Sequence, residues 1–369
     1  MKDVRWAFLI AMTAFLCLSL WIRDSLPNEV RADSKPQVGT TAPKFELDPL
    51  WPKPLPDRWV TGNVSSVCVD AQDHIFSLNN GNLGVYEQKT AKAAPPVIEF
   101  DPAGNVVNSW GNLELLPATE RHGCFVDQQS NIWIGGSEDA IVQKYTHDGS
   151  KLLLQIGTKG HFDTSDGNIT GAPMNSSHVY LNRPSGVAVD PANGDVYISD
   201  GYGNRRVVVF DRDGKFLRQW GRQGTLAESD AGVGDAFLDV VHCIVIGKDG
   251  LVYVGDRLGL RFHVFDKMGN FKRNIIVESK TGRLTGTGSA CWIAFPPDPF
   301  QALMYIATGA DSEIRIYDRV SGLLISSFGR PGAQPTEIGS AHTFAVDSKG
   351  NIIVGDNFGR RIQMWRLVK

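Results

Sequence analysis

Three of the eight histidines in this 369-residue chain share one place in a recurring pattern. His122, His242 and His342 each stand five residues before the end of an alternating apolar stretch, at Asp127, Gly247 and Asp347. Three further stretches put Ser65, Ser185 and Cys291 at the same place. Chance would put three histidines on six given positions about 2 times in 10,000, so the coincidence outweighs any lone histidine. Three imidazoles with an open fourth position suit a zinc ion, and other divalent metals such as Cu, Fe or Ni also take imidazole. Such an ion polarises a substrate oxygen or lowers the pKa of bound water to about 7. The plainer alternative is three polar residues lining a wet channel. His74 near a turn, His147 in a turn, His161 and His178 in a long loop, and His263 within an alternating strand read as surface or packing residues.

The elements that position these residues repeat along the chain. A Val-Asp stretch recurs at Val67–Asp70, Cys124–Asp127, Val187–Asp190 and Phe344–Asp347. Weaker copies run from His242 to Gly247 and from Cys291 to Pro296. Each leads through a turn into a second apolar strand, such as Asp195–Ile198 or Leu251–Val254, and then a third, such as Arg206–Phe210 or Arg261–Phe265. A fourth strand ends in an aromatic or apolar residue and Gly, as at Trp110-Gly111 and Trp220-Gly221. Four short antiparallel strands repeated six times predict an all-β, six-bladed β-propeller. A β-sandwich is the minority alternative. The innermost strand of each blade faces the axis, so the registered positions form a ring. Histidine falls on blades two, four and six, about 120° apart on a six-fold ring. The chain ends near the third strand of blade six, and Lys44–Asp48 is expected to supply the missing outer strand and close the ring.

Apolar residues make up 42 % and charged residues 21 %, as in globular proteins, and the net charge is only −3. No basic cluster or helix appears, so nucleic acid is not an expected partner. Residues 1–32 read as an export signal: Lys2 and Arg5, an apolar run at 7–22, then a polar stretch ending at Ala32. An uncleaved membrane anchor through residues 7–22 is the alternative. Either places the domain outside the cytoplasm: periplasmic, secreted or anchored on that side. A linker at 33–43 precedes a propeller at 44–369, expected to be a monomer. Cys68, Cys124, Cys243 and Cys291 lie at different offsets in the repeat and read as buried thiols without a bridge, although export permits disulfides. Asn63, Asn168 and Asn175 begin glycosylation sequons that matter only in a eukaryotic secretory route.

From about Val60 to Trp365 the chain resembles the peptidyl-α-hydroxyglycine α-amidating lyase family, whose fold is a six-bladed NHL propeller with a three-histidine zinc. The segments Arg121–Asp127, Val241–Val245 and Ala341–Ala345 resemble the family's three histidine motifs. Ser199–Arg205 resembles the segment carrying the family's catalytic tyrosine, which falls on Tyr202, and Gly255–Arg257 resembles a segment whose arginine faces the active site. The resemblance implies Tyr202 and Arg257 as catalytic residues. Some positions depart from the family. Ile75–Gly81 carries no arginine where the family has one. Thr343 replaces the acid linked to a structural calcium, and Gly203 replaces a half-cystine. The 369 residues read as a propeller, with no stretch expected to form a monooxygenase domain.

The expected activity is that of a zinc-dependent lyase-like enzyme cleaving a carbinol C–N or related bond in a hydroxylated small molecule or peptide-like substrate. Tyr202, its pKa lowered by the metal's charge, would move a proton, and Arg257 would hold a carboxylate or enolate oxygen. A non-catalytic NHL propeller that binds a protein or ligand is the alternative, since fold alone does not fix function. A structural metal plugging the channel is a third reading.

Overall fold

A computed structural model describes residues 42–118, 120–283 and 288–368. The export signal or anchor at 1–32 lies outside the described residues, as does nearly all of the linker. Alternating residues in the repeat form six four-stranded antiparallel sheets. From the axis outward, the first blade is Val64–Val69, Ile75–Asn79, Val97–Phe100 and Val106–Trp110. The inner strands of the others are Arg121–Val126, Pro184–Val189, Val241–Ile246, Trp292–Ala294 and Ala341–Val346. Each inner strand packs against the next, and Ala341–Val346 returns to Val64–Val69, so the ring is closed.

Closure runs through the sixth blade. Lys44–Leu47 pairs antiparallel with Arg361–Val368, with Leu47 opposite Trp365. The strand made early in the chain thus covers the edge that the last strand would leave open. Arg366 reinforces the seam through Asp48.

The core is distributed between blades. Phe76, Ile132, Ile134 and Tyr145 fill the first-to-second interface, while Tyr197, Val209, Val254 and Phe265 fill the third-to-fourth. A blade buries both of its faces, so its middle strands read as continuous apolar runs. Buried Arg206 joins Asp200 at 2.9 Å and Asp163 at 3.3 Å, and Arg360 reaches from blade six to Glu87 in blade one at 2.8 Å.

One expectation is overturned. Cys68 and Cys124 form a disulfide, with Cα atoms 5.4 Å apart, linking blades one and two. Their different offsets suggested no pairing, but neighbouring inner strands are staggered: the Cys124 amide donates to Ser66 Oγ at 3.1 Å. Ser66 and Cys68 share one face of their strand, and that face meets Cys124. A cross-link across a separation of 56 residues restricts the unfolded chain, contributing about 4 kcal/mol by loop closure. Cys243 and Cys291 are buried outside any disulfide.

Candidate metal centre

The ring position sits on an irregularity in the inner strand. Pairing with the second strand slips at Ser65, beside His122, at Ser185, at His242 and at His342. Such bulges re-aim side chains. Here they turn the ring residue from the sheet toward the axis. Beside His122, Gly123 adopts φ +56°, and a Cβ there would lie 2.6 Å from the Ser185 carbonyl oxygen of the next blade. Glycine lets the neighbouring strand come close enough to orient His122.

The three imidazoles meet as a near-equilateral set, with ring centroids 4.7, 4.9 and 5.0 Å apart and planes at 77–85°. Each Nδ1 faces the backbone carbonyl at the ring position of the following blade. His122 reaches Ser185 O at 2.5 Å, His242 reaches Cys291 O at 2.7 Å, and His342 reaches Ser65 O at 2.8 Å. A carbonyl only accepts, so Nδ1 carries the proton and Nε2 presents its lone pair. Backbone carbonyls in this role are the usual outer partners of metal-binding histidine. One ligand atom from each histidine falls within 4.8 Å of the others. The donor set fits a divalent ion.

Electrostatics point the same way. Burial pushes His122 down to about 4, and the Arg257 and Arg183 guanidinium groups add to the shift. Burial, then Arg257, holds His242 well below the ordinary 6.5. Burial and then His122 push His342 down to about 3, although its edge keeps partial exposure. All three rings are therefore neutral at pH 7. Neutral rings in the fold and protonating rings in the unfolded chain mean that the unfolded state binds more protons below 6.5. The metal-free protein is thus expected to be fully stabilised by this effect above pH 6.5 and to lose it as pH falls toward 4. His122 alone contributes about 3 kcal/mol over that window. Urea midpoints of metal-free protein from pH 7 to pH 4 measure this, and a His122→Asn variant should show a shallower fall.

Tyr202 and Arg257 come to the same mouth. The Tyr202 hydroxyl lies 3.1 Å from His122 Nε2 and 3.0 Å from His242 Nε2, and Arg257 Nη1 donates to it at 3.2 Å. The turn that carries Tyr202 is tight by necessity. A Cβ on Gly201 would lie 2.1 Å from the Val241 carbonyl oxygen, so only glycine lets the loop cross the next inner strand. In the protein alone, burial pushes the Tyr202 phenol up to about 12, and Arg257 opposes this only in part.

Two residues at this mouth escaped the sequence reading. The Arg183 guanidinium lies 5.5 Å from the Tyr202 ring, beside Arg257 at 5.4 Å, and Arg183 ion-pairs with Glu138. Glu120 is close enough to raise the phenol further. Both stand two residues before a ring position, Arg183 before Ser185 and Glu120 before His122. That shared offset was the available signal. Thr343, at the position of the family's calcium-linked acid, accepts the Val67 amide at 3.1 Å and joins blade six to blade one. Arg121, next to His122, is a structural residue whose guanidinium donates to Asn79 O at 2.7 Å and Pro117 O at 2.8 Å.

The channel's other end is different. A cavity of about 390 Å³ is lined there by Val67, Val187, Ile244 and Phe344 together with Gln128 and Asp190, with no His, Tyr, Lys or Arg among the described residues of its lining. The three histidines, Tyr202 and Arg257 lie at the opposite end, where the inner strands begin.

Comparison with known proteins agrees with this architecture. The NHL repeat family model matches residues 181–210, the stretch of blade three that contains Tyr202. The chain is 24 % identical over 371 residues to peptidyl-alpha-hydroxyglycine alpha-amidating lyase 2 of Drosophila melanogaster, covering 94 % of this chain and 80 % of that one. It is 29 % identical over 234 residues to NHL repeat-containing protein 3 of Mus musculus, covering 61 % and 57 %. The chain spans between 17 % and 57 % of the length of the first curated relatives it matches. Among solved structures, a streptogramin B lyase aligns with TM-score 0.54 at 11 % identity, over 88 % of this chain and 98 % of that one, a likeness of fold. The resemblance read from the motifs is thus upheld: this is a six-bladed propeller with an NHL repeat, similar to the amidating lyases.

Proposed function

We propose that this chain is an exported, metal-dependent lyase-like enzyme that breaks a carbinol C–N or related bond in a hydroxylated small-molecule or peptide-like substrate. The carrying observation is the convergence of three histidine Nε2 atoms, the Tyr202 hydroxyl and the Arg257 guanidinium at one mouth. The name of the fruit-fly relative, similar over nearly the whole chain, supports the reaction class.

His122, His242 and His342 would hold one zinc or other divalent ion. When bound, that ion supplies Lewis acidity toward a substrate oxygen and a positive charge that favours the ionised phenol. Arg257 binds a substrate carboxylate through its planar fork. Arg183, ion-paired with Glu138, lies over the same tyrosine ring. Tyr202 Oη moves the proton: it takes the substrate hydroxyl proton as the C–O bond becomes C=O and the C–N pair leaves with nitrogen, then returns it to that nitrogen. Proton and electron pair balance within the step. Without the ion, Tyr202 is protonated at pH 7, and burial, which pushes its phenol up to about 12, makes it harder still to ionise.

The test is turnover of an N-acyl-α-hydroxyglycine, read as release of the amide and glyoxylate. Turnover that chelation removes and zinc restores supports the reading. No turnover of carbinolamides or α-hydroxy acids by metal-loaded protein supports the second reading, a non-catalytic binding propeller. That reading is favoured by one feature: Ile75–Asn79 leads into Asn80 and Gly81 with no arginine on this first-blade loop.

A further inference from the structure

Away from the channel mouth, the end of the first inner strand gathers Asp70, His74, Glu99 and His147, one ligand atom from each lying within 4.8 Å of the others. His74 Nδ1 lies 2.6 Å from Glu99 Oε1, and His147 Nε2 lies 3.0 Å from Asp70 Oδ2 and 3.9 Å from Glu99 Oε1. The carboxylates are buried, at 1 % and 4 % side-chain exposure, while the imidazoles keep 31 % and 35 %, so an ion can enter from solvent. Along the strand this place is about 16 Å from the ring position.

The other blades show what is unusual. The place of Glu99 is Lys144 in blade two and Val209, Val264, Ile316 and Met364 in blades three to six. Lys144 neutralises Asp127, the counterpart of Asp70, at 3.3 Å. The place of His147, in the hairpin of the following blade, is Lys267 in blade four, where it neutralises Asp190 at 2.7 Å. The place of His74 is Asn131 in blade two and Asn351 in blade six, each donating to its own Asp. Blade one therefore has an added acid where its neighbour has lysine, and imidazoles where others have lysine or asparagine. Among the described residues neither Asp70 nor Glu99 is ion-paired with Lys or Arg. Two buried carboxylates without a fixed cation are costly. A divalent ion cancels both charges and takes the two imidazole nitrogens as ligands.

We infer that Asp70, His74, Glu99 and His147 form a second metal site, binding a divalent first-row ion such as zinc. Two imidazole nitrogens and two carboxylate oxygens make a four-ligand set, and tetrahedral zinc separates its ligand atoms by roughly 3.3 Å, within the spread seen here. With all four bound the site is closed and structural. It ties the blade-two hairpin to blade one at the same interface as the Cys68–Cys124 disulfide.

The test uses full-length protein stripped by a chelator and titrated with Zn²⁺, with bound metal counted after gel filtration. A His242→Ala chain, deprived of the channel set, should still take up about one equivalent, and adding His147→Lys should reduce that to none. His147→Lys recreates the Lys267–Asp190 pair, so the fold should hold; if it melts early, His74→Asn, which installs a residue other blades use, replaces it. No zinc on His242→Ala, or the same equivalent retained by both double variants, overturns the site. Failure of the channel site alone is distinguishable: wild type would then bind about one equivalent and His147→Lys none.

Discussion

Tyr202→Phe is expected to lower kcat by about 10²–10⁴-fold, the usual worth of a positioned general acid–base, with metal content unchanged. The substitution removes one oxygen and leaves the ring. That ring keeps its contacts with Arg183 and Arg257 and its edge-on packing against His122 and His242. What disappears is the hydroxyl 3.0 and 3.1 Å from two Nε2 atoms and 3.2 Å from Arg257. The loss should fall on kcat more than on KM, because the oxygen acts on the moving proton and Arg257 remains to bind substrate. Steady-state kinetics beside elemental analysis measures both. Unchanged kcat would remove Tyr202 from the chemistry, and a kcat loss that only tracks loss of metal would make it a supporting residue of the metal site.

His242→Ala should remove the channel ion and lower turnover by more than about 100-fold, beyond the cost of losing an outer partner of a ligand. His242 is fully buried and its Nδ1 is fixed on the Cys291 carbonyl. Two histidines cannot recruit a third, since the other ring positions hold Ser65, Ser185 and Cys291. The variant also removes the hydrogen bond that His242 Nδ1 donates to the Cys291 carbonyl, so thermal unfolding should accompany the kinetics. A folded variant with wild-type turnover would end the metal-dependent reading.

The propeller was legible in the sequence because each blade repeats one alternating unit, and counting back from the end of each alternating stretch found the histidine ring. The closing strand Lys44–Leu47 was legible from the missing fourth strand of the last blade. What escaped lies between blades. The Cys68–Cys124 bond depends on the sideways stagger of neighbouring strands, which register within a blade does not contain. Asp70 and His147 are 77 residues apart, and their meeting depends on how one blade's hairpin folds over the next, so His147 read as a plain turn residue. Arg183 and Glu120 carry no motif, and only the loops that begin the inner strands bring them to Tyr202. The phenol's upward shift also comes from burial that a loop sequence rich in glycine does not suggest.

The most direct test of the central claim is anomalous diffraction at the zinc edge from crystals of zinc-loaded protein. The account predicts a peak on the channel axis, about 2.0–2.1 Å from the Nε2 atoms of His122, His242 and His342. Zinc-loaded crystals with no peak among those three nitrogens would contradict it.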